Sequence, residues 1–537
     1  RYSASLPVPE GFFQDVALLA FPASAAQAES PAGGRPRISI SGGSVPNAAA
    51  LADGDTSTTS LLNAAAKSDA GLIIDLRFEA PLTARSLTLY PAPMPFRADC
   101  QLQVRENDGF RTLKEFEFNR SNPELHVGFK PYAPLVVAFP EVQAREFRLL
   151  LKNIQGRGGF TEISLSPAAR LEKYMEKQLA KMFQTPLPLW QEYQWEGQPE
   201  IKDKDLLTDP SEVIEITDKL SADGRLDWQV PEGDWIVLRL GMAPTGVTNA
   251  PAAPEGRGLE VDKMNSEPLR AHFNAFIGRV LDSIPAADRK SLKWVVADSY
   301  ETGSQNWTDG FGKDFQERYG YDPLPWLPVL TGNIVGSADR SNRFLWDLRR
   351  LVADKVAYEY VGGLRGLSHE KGLKIWLENY GHWGFPGEFL QYGGQSDEVA
   401  GEFWNEGDLG SIELRAASSA AHIYGKNRVA AESFTAGGQA YARYPALLKK
   451  RGDWSFTEGV NHTLLHVFVH QPYEDRNPGV NAGFGTEFNR KNTWFPQAGM
   501  FTDYLRRCMF LLQQGKPVAE VAYFIGEDAP KMTGIRD

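Results

Sequence analysis

Apolar and polar residues follow two different rhythms along this chain. Between residues 34 and 168 they alternate in short runs, which Gly, Pro, Asn and Asp interrupt at close intervals. The runs are "PRISISGG", "GLIIDLRFEA", "RSLTLYPA", "DCQLQVREN", "LVVAFP", "EFRLLLKN" and "FTEISLSP". Alternation of this kind predicts half-buried strands, and the close spacing of the turns is typical of a β-sandwich. Residues 34–168 are therefore predicted to be all-β.

From about residue 231, short apolar runs alternate with longer runs of helical spacing. "LKWVVADSYE", for example, precedes "NRFLWDLRRLVADKVAYEYVGG". This alternation predicts βαβ units and a parallel sheet, and its length favours a (β/α)₈ TIM-type barrel over a doubly wound sheet. About six barrel-type strands can be counted, beginning with "DWIVLRLGM". We expect the first strands of the barrel upstream of this chain, with the β-sandwich inserted into the barrel.

The two rhythms divide the chain into segments with different predicted roles. The segments are 1–33, a lead-in to the barrel domain; 34–168, the β-sandwich; 169–230, a helix and β connector; 231–515, the catalytic barrel; and 516–537, the start of a downstream domain. The chain opens without an initiator Met or a signal peptide and closes just after a strand-like run. We therefore expect it to be a segment of a longer protein.

Charge and composition narrow the possible partners. The net charge is −11 and no Lys/Arg cluster is present, so nucleic acid is not a predicted partner. No run of 18 apolar residues is present, so no membrane span is predicted. Aromatic residues make up 11% of the chain, and many occur in loop-like contexts such as "NYGHWGFPGEF". Their rings could stack on sugars, although large domains also bury aromatic residues for packing alone.

Acidic residues follow four successive predicted strands. They are Asp298 and Glu301 in "VVADSYE", Glu378 in "IWLENYGH", Glu402 and Glu406 in "AGEFWNEG", and Glu432 in "VAAESF". Because barrel active sites lie at the C-terminal ends of the strands, we expect these acids to share one face. Any single acid could instead cap a helix or pair with Arg. The whole set points to glycoside hydrolysis by a carboxylate pair, in which one carboxyl group is protonated and the other is ionised.

Polar and aromatic residues beside these acids are predicted to contact a sugar. They are Asn379, His382, Trp404, Trp307 and His470. His462, His466 and His470 recur every four residues, a spacing that could hold zinc on a helix. However, the run "HTLLHVFVHQP" is β-rich and lacks an HExxH pattern, so substrate contact is the better interpretation for His470.

Several long blocks carry a family resemblance. "DSYETGSQNWT", "AHIYGKNRVAAESFT" and "FTEGVNHTLLHVFVHQPY" resemble the family 106 glycoside hydrolases, the α-L-rhamnosidases, and the likeness covers most of residues 231–527. Residues 34–168, in which "LADGDTSTTS" precedes a hydrophobic strand and "EAPLTARSLTLYP", look like a galactose-binding-like jelly roll. Such a module can bind sugar or can only brace an enzyme, and bracing is the favoured interpretation here. The family resemblance implies a bacterial, periplasmic or secreted exo-enzyme that removes terminal α-L-rhamnose from plant glycans or glycosides with inversion. It also implies a calcium ion near the sugar.

The resemblance implies roles for individual residues as well. Glu301 would be the general acid, with Asp298 tuning or orienting it. The general base would be Glu432 or Glu402, and both remain candidates for holding calcium. Two other classes stay open: a retaining β-glycosidase-like barrel enzyme, and a non-catalytic carbohydrate-binding protein. A carboxyl spacing of roughly 6.5–9.5 Å would favour inversion, and about 5 Å retention.

Overall fold

The computed structural model describes residues 2–28, 34–64, 71–107, 109–123, 130–179, 195–379, 385–406 and 410–530. The strands β1 to β19 are Tyr2–Ser5, Gln14–Pro22, Arg37–Ser41, Gly43–Ser44, Ser60–Leu61, Asn63–Ala64, Leu72–Pro91, Phe96–Glu106, Gly109–Arg120, Leu135–Gly156, Gly159–Ser166, Ile214–Glu215, Arg225–Trp228, Trp235–Met242, Trp294–Ala297, Lys374–Glu378, Glu398–Trp404, Val429–Thr435 and His462–Leu465. The α-helices α1 to α11 are Ala25–Ala28, Tyr174–Leu179, Ser266–Phe273, Arg279–Asp282, Phe311–Tyr319, Ala338–Lys355, Gly362–Glu370, Phe389–Gly394, Ser411–Ile423, Pro445–Thr457 and Ala498–Leu512.

The described residues form two compact units. One contains residues 2–179, 196–247 and 310–348, and the other contains residue 195 and the described parts of 248–309 and 349–530. Among the described residues, no helix has both the length and the apolar character that crossing a membrane requires.

The first unit contains a seven-stranded antiparallel sheet. Its strands run in the order β5-β11-β7-β10-β8-β9, and β3 also pairs with β7. Buried and more exposed positions alternate along β7 and β8, as the sequence pattern predicts. The buried face carries Phe96, Phe118 and Phe160, whose ring centroids lie 4.7–5.5 Å apart.

Two features of this sheet differ from the predicted runs. "GLIIDLRFEA" and "RSLTLYPA" form one long strand, β7, and "LVVAFP" and "EFRLLLKN" together form β10. Irregularities in the β7–β10 register, at Ala138/Val142 and Ala144/Glu146, fall between the runs. The two strands continue through Pro81 and Pro140, so the breaks in the pattern are bulges rather than turns.

The prediction that "DWIVLRLGM" is a strand of the barrel is wrong. This segment is β14, which pairs antiparallel with β2 in a three-stranded sheet of the order β12-β2-β14. Its apolar run does not reveal its partner, because β2 lies more than 200 residues upstream and pairing is decided by tertiary contacts.

The second unit contains a five-stranded parallel sheet of the order β15-β16-β17-β18-β19. The central strands β16, β17 and β18 are buried along almost their whole length, as parallel strands covered on both faces are. Helices α8, α9 and α10 lie between successive strands from β16 to β19, so the predicted strand–helix alternation is confirmed here. All five strands point the same way, and their C-terminal ends meet at one edge of the sheet.

Candidate active site

The register of the parallel sheet brings the predicted acids together at its C-terminal edge. Glu402 on β17 pairs directly with Glu432 on β18. Asp298 follows Ala297, whose partner Leu377 is followed by Glu378. We name Asp298, Glu301, Glu378, Glu402 and Glu432 the carboxylate cluster. The predicted grouping of the strand-end acids thus extends over four neighbouring strands.

Three members of the carboxylate cluster are close enough to bind one cation. Single carboxylate oxygens of Asp298, Glu378 and Glu432 all lie within 4.8 Å of one another. Carboxylate oxygens are the ligands that hard divalent cations such as Ca²⁺ prefer. This set contains Glu432, one of the two predicted metal candidates, and not Glu402.

Glu378 is the most deeply buried member of the carboxylate cluster. It is 1% exposed, and its Oε2 accepts a hydrogen bond of 3.1 Å from the backbone N–H of Ser299. Its Oε1 has no hydrogen-bond partner among the described residues. Burial raises the pKa of Glu378 well above its ordinary value, and a hydrogen bond and the charge of Asp298 raise it further. A buried carboxyl group of this kind must either keep its proton or gain a positive partner.

Glu402 and Glu432 lie side by side with different surroundings. Burial and then the charge of Glu432 raise the pKa of Glu402 to about 8, although the indole N–H of Trp404, 2.5 Å away, donates to it and lowers it. Burial also raises the pKa of Glu432, but a hydrogen bond from the Thr435 hydroxyl and the nearby His466 oppose this. His466 Nε2 lies 3.7 Å from Glu432 Oε1. Glu432 therefore has more groups that favour its ionised form.

Glu301 lies on the loop of residues 298–309, which follows β15 and contains no helix or strand. Its side chain is exposed, unlike that of Glu378. Partial loss of solvent around its carboxyl group raises the pKa of Glu301, and the charges of Asp298 and Glu432 add to this. A proton on Glu301 is thus stabilised by the same acids that surround the site.

The other predicted site residues fall into different environments. Trp404 donates to Glu402 and contacts the exposed Phe484, with ring centroids 6.0 Å apart. Asn379 is fully buried at the end of β16, and its side-chain amide has no hydrogen-bond partner among the described residues. Trp307 is half-buried on the Glu301 loop. His470 is exposed beyond the end of β19, and His382 lies outside the described residues.

The remaining acid and the other histidines have partners of their own. Glu406 forms an ion pair of 2.6 Å with Arg443, the kind of structural role that any single strand-end acid could have had. His462 pairs with Glu398 at the opposite ends of their strands from the cluster. The sequence pattern missed the contacts of Thr435 and His466 with Glu432. Their positions at the ends of β18 and β19 were the available signal.

Residues 2–537 match the sequence profile of glycoside hydrolase family 106, described as α-L-rhamnosidase. The chain belongs to this α-L-rhamnosidase family. The predicted family resemblance is confirmed.

This α-L-rhamnosidase family member is similar to a solved structure and to a second protein known from its sequence. The structure of a rhamnosidase from Novosphingobium sp. PP1Y superimposes with a TM-score of 0.80 at 33% identity, and the match covers 98% of this chain and 49% of that one. A protein of Formosa agariphila that carries a provisional beta-glucuronidase name is 42% identical over 320 residues, which are 59% of this chain and 27% of that protein. The chain thus spans about half the length of the first relative and about a quarter of the second.

Proposed function

We propose that this chain carries the catalytic site of an α-L-rhamnosidase, which removes terminal α-L-rhamnose from glycans or glycosides with inversion at the anomeric carbon. The observation that carries the proposal is the carboxylate cluster, which combines a solvent-accessible acid of raised pKa, Glu301, with nearby carboxylates. An inverting glycosidase needs one protonated and one ionised carboxyl group on opposite sides of the scissile bond. Membership of the α-L-rhamnosidase family supports rhamnose as the sugar.

Glu301 is the general acid in this proposal. Its raised pKa favours the protonated form, and its exposure lets the proton reach the glycosidic oxygen of a bound substrate. As the leaving oxygen gains negative charge, Glu301 transfers its proton to it. Asp298 acts on Glu301 through its charge, which helps to keep the proton there before the reaction.

Glu432 is the better candidate for the general base. The base must be ionised to take a proton from water, and the Thr435 hydroxyl and His466 both favour ionised Glu432. Glu402 is more deeply buried, with a pKa of about 8, so its proton is largely retained at neutral pH. Glu402 and its partner Trp404 then serve as a polar and aromatic wall for the sugar.

Calcium fits the residues that surround Glu378. Asp298, Glu378 and Glu432 would supply its ligands, and Glu378 Oε1 is a buried oxygen that lacks a partner among the described residues. A bound Ca²⁺ supplies positive charge that stabilises these ionised carboxylates, and it can coordinate sugar hydroxyl groups. The Ser299 N–H holds Glu378 in place for this task.

The proposal extends to the whole protein and its architecture. The five parallel strands belong to a (β/α)₈ barrel, and the seven-stranded sheet belongs to a galactose-binding-like β-sandwich. The predicted boundaries at residues 33, 168 and 515 are part of this proposal, as is a periplasmic or secreted location, whereas β14 is left out of the barrel because it pairs with β2. Carbohydrate is the proposed partner, and no nucleic acid is expected.

A β-glucuronidase is the second candidate function. The name of the Formosa agariphila relative favours it, and such an enzyme would belong to the retaining class left open by the sequence. Full-length protein should be assayed with aryl α-L-rhamnoside and aryl β-D-glucuronide side by side. Release from the glucuronide without release from the rhamnoside would replace the proposal.

Proton NMR of the first minutes of aryl α-L-rhamnoside hydrolysis tests the mechanism. Early β-rhamnose supports inversion, and early α-rhamnose would make Glu432 or Glu402 a nucleophile. Glu301→Gln should lower kcat/KM by about 10²–10⁴-fold while it retains sugar binding. Unchanged turnover in this variant would reject Glu301 as the acid, and binding without turnover in the parent protein would favour a carbohydrate-binding role.

Glu432→Gln and Glu402→Gln form a matched pair for the base. Loss of the base slows hydrolysis of all leaving groups alike, because water activation does not depend on the leaving group. Glu432→Gln should therefore lower kcat by about 10²–10⁴-fold for every aryl rhamnoside. A larger and equally uniform loss in Glu402→Gln would transfer the role to Glu402.

A further inference from the structure

The loop that carries Glu301 has to be held by contacts from outside itself. Residues 298–309 contain no helix or strand, so no backbone ladder fixes the acid. An acid that transfers a proton must be held within about 0.5 Å of its working position. Contacts that order this loop therefore contribute to the proton transfer proposed for Glu301.

The first half of the loop is anchored by Tyr300. The Tyr300 side chain is buried, and its hydroxyl donates a hydrogen bond of 2.8 Å to the carbonyl oxygen of Gly303. Its ring meets the ring of Phe385 edge-on, with centroids 5.6 Å apart. These contacts fix the backbone on both sides of Glu301. They leave the residues after Gly303 to be held by something else.

The second half of the loop is held by Asp262. Asp262 Oδ1 accepts a hydrogen bond of 2.8 Å from the Gln305 side chain, and Oδ2 accepts one of 2.5 Å from the Thr308 hydroxyl. The backbone N–H of Met264 also donates to Asp262 Oδ1, at 2.8 Å, so the carboxylate is itself oriented. One carboxylate thus joins two points of the loop to a neighbouring segment.

Lys263 extends the same connection to the first half of the loop. Its backbone N–H donates to Gln305 Oε1 at 3.2 Å, so the Gln305 amide is held at both its oxygen and its nitrogen. Its buried ammonium group pairs with Glu260 at 2.6 Å and lies 5.7 Å from the centre of the Tyr300 ring. Asp262 and Lys263 therefore contact the loop on both sides of Glu301.

We propose that Asp262 is a positioning residue, which holds the loop of residues 298–309 so that Glu301 reaches the glycosidic oxygen. This inference rests on the proposed role of Glu301 as the general acid. Asp262 is not a member of the carboxylate cluster, and in this proposal it acts on Glu301 through Gln305 and Thr308. A purely structural role would instead affect folding and all substrates equally.

The leaving group of the substrate separates these two roles. A poor leaving group such as 4-methoxyphenol needs the proton of the acid, whereas 2,4-dinitrophenolate departs without it. Displacement of Glu301 should therefore slow the first substrate far more than the second. In the full-length protein, Asp262→Ala should lower kcat/KM by about 10²-fold for 4-methoxyphenyl α-L-rhamnoside and by less than about 5-fold for the dinitrophenyl substrate.

Three further variants complete the experiment. Thr308→Val removes one donor and should show the same selectivity at a smaller size, whereas Thr308→Ser keeps the hydroxyl and should restore the parent values. Asn265→Ala is the matched control in the same segment, because Asn265 caps α3 by accepting from Glu267 N and does not take part in the loop contacts described above. Glu301→Gln provides the reference pattern for loss of the acid.

Hydrogen–deuterium exchange of the peptide covering residues 298–309 gives a readout that does not require activity. Exchange in this peptide should be faster in Asp262→Ala than in the parent protein and in Asn265→Ala. Unchanged exchange, or an equal loss on both substrates, would overturn the proposal for Asp262. If Glu301→Gln itself lacked the leaving-group selectivity, the proposed acid would be wrong, and the exchange result alone would decide whether Asp262 holds the loop.

Discussion

The seven-stranded antiparallel sheet and the carboxylate cluster place opposite kinds of side chain out of water. In the sheet, Phe96, Phe118 and Phe160 are fully buried against one another. In the cluster, Glu378 is nearly as deeply buried, yet one of its carboxylate oxygens has no hydrogen-bond partner among the described residues. Burial stabilises the first arrangement and destabilises the second, because an unpaired polar group loses its hydration without a replacement.

This difference separates residues that maintain the fold from residues that perform chemistry. A sequence under no functional demand would replace Glu378 with an apolar residue, as the sheet does at most of its inward positions. Several carboxyl groups of raised pKa at one sheet edge are therefore best explained by a ligand or reaction that uses them. Substitutions in the two regions should accordingly change different quantities.

The largest expected effect is on stability in the sheet. Phe160→Ala removes a ring that contacts Phe96 and Phe118, so it should lower the free energy of unfolding by about 3–5 kcal/mol. Urea denaturation would measure this, with Phe12→Ala, at a Phe that is 61% exposed, as the control with little change. A loss below 1 kcal/mol for Phe160→Ala would mean that the three packed Phe rings are not the core of the first unit.

The second effect concerns the cluster and calcium. If Asp298, Glu378 and Glu432 bind calcium, the ion at a hundred times its Kd should raise the free energy of unfolding of the parent protein by about 2.7 kcal/mol. Glu378→Gln should lose most of this increase, because it removes one anionic ligand. Thermal unfolding in calcium and in chelator would measure both.

Glu413→Gln is the matched control for the calcium experiment. Glu413 is also a buried glutamate of the second unit, but it accepts a hydrogen bond from the N–H of Gly410. It is not one of the three acids Asp298, Glu378 and Glu432 that could bind calcium. It should keep the full response to calcium. An equal response in parent and Glu378→Gln would remove Glu378 from the ligand set.

The third effect is a pH dependence within the sheet. Burial raises the pKa of Glu162 from an ordinary value of 4.5 to about 7. Because the folded protein then binds this proton more tightly than the unfolded chain, the contribution of Glu162 to stability is fully present below pH 4.5 and is lost as the pH rises through 7. Allowing for partial solvation, the decrease should be about 1–2 kcal/mol between pH 5 and pH 8.

Glu162→Gln should remove this part of the pH dependence, since its amide cannot ionise and can still accept from the Gly54 N–H. Glu79→Gln, at an exposed position of the same sheet, should leave the dependence intact. Urea denaturation at both pH values would compare the three proteins. A parent slope that survived in Glu162→Gln would assign the effect to another group.

Sequence patterns predicted local properties of this protein better than its long-range pairings. The strand ends at Glu301, Glu378, Glu402 and Glu432 could be located because buried strands of the parallel sheet are continuous apolar runs with abrupt polar exits. The strand β9 was missed because its period-2 alternation breaks at Leu113, where the β8–β9 register shifts between Thr112 and Lys114.

Which acids meet in the site depends on the register between neighbouring strands, and local sequence patterns do not encode this register. Only the pairing of neighbouring strands reveals that Glu378 meets Asp298 and Glu432, or that Glu402 stands beside Glu432. The same limit explains the wrong assignment of β14, whose apolar run suits a parallel or an antiparallel partner equally. The contacts of Asp262 with Gln305 and Thr308 likewise join segments more than 40 residues apart.

The smallest expected effect sharpens the comparison within the carboxylate cluster itself. The buried Thr435 hydroxyl donates to Glu432 and lowers its pKa, against the effects of burial and of Asp298. Thr435→Val removes this donor, so the pKa of Glu432 should rise and the base should stay protonated to a higher pH. The acidic limb of the kcat/KM profile should then move up by about one pH unit, which corresponds to about 1.4 kcal/mol. Thr435→Ser keeps the hydroxyl and should leave the limb in place. A limb that moves in neither variant, while Glu402→Gln shifts it, would identify Glu402 as the group that must ionise, and the base would then be the more buried of the two paired glutamates.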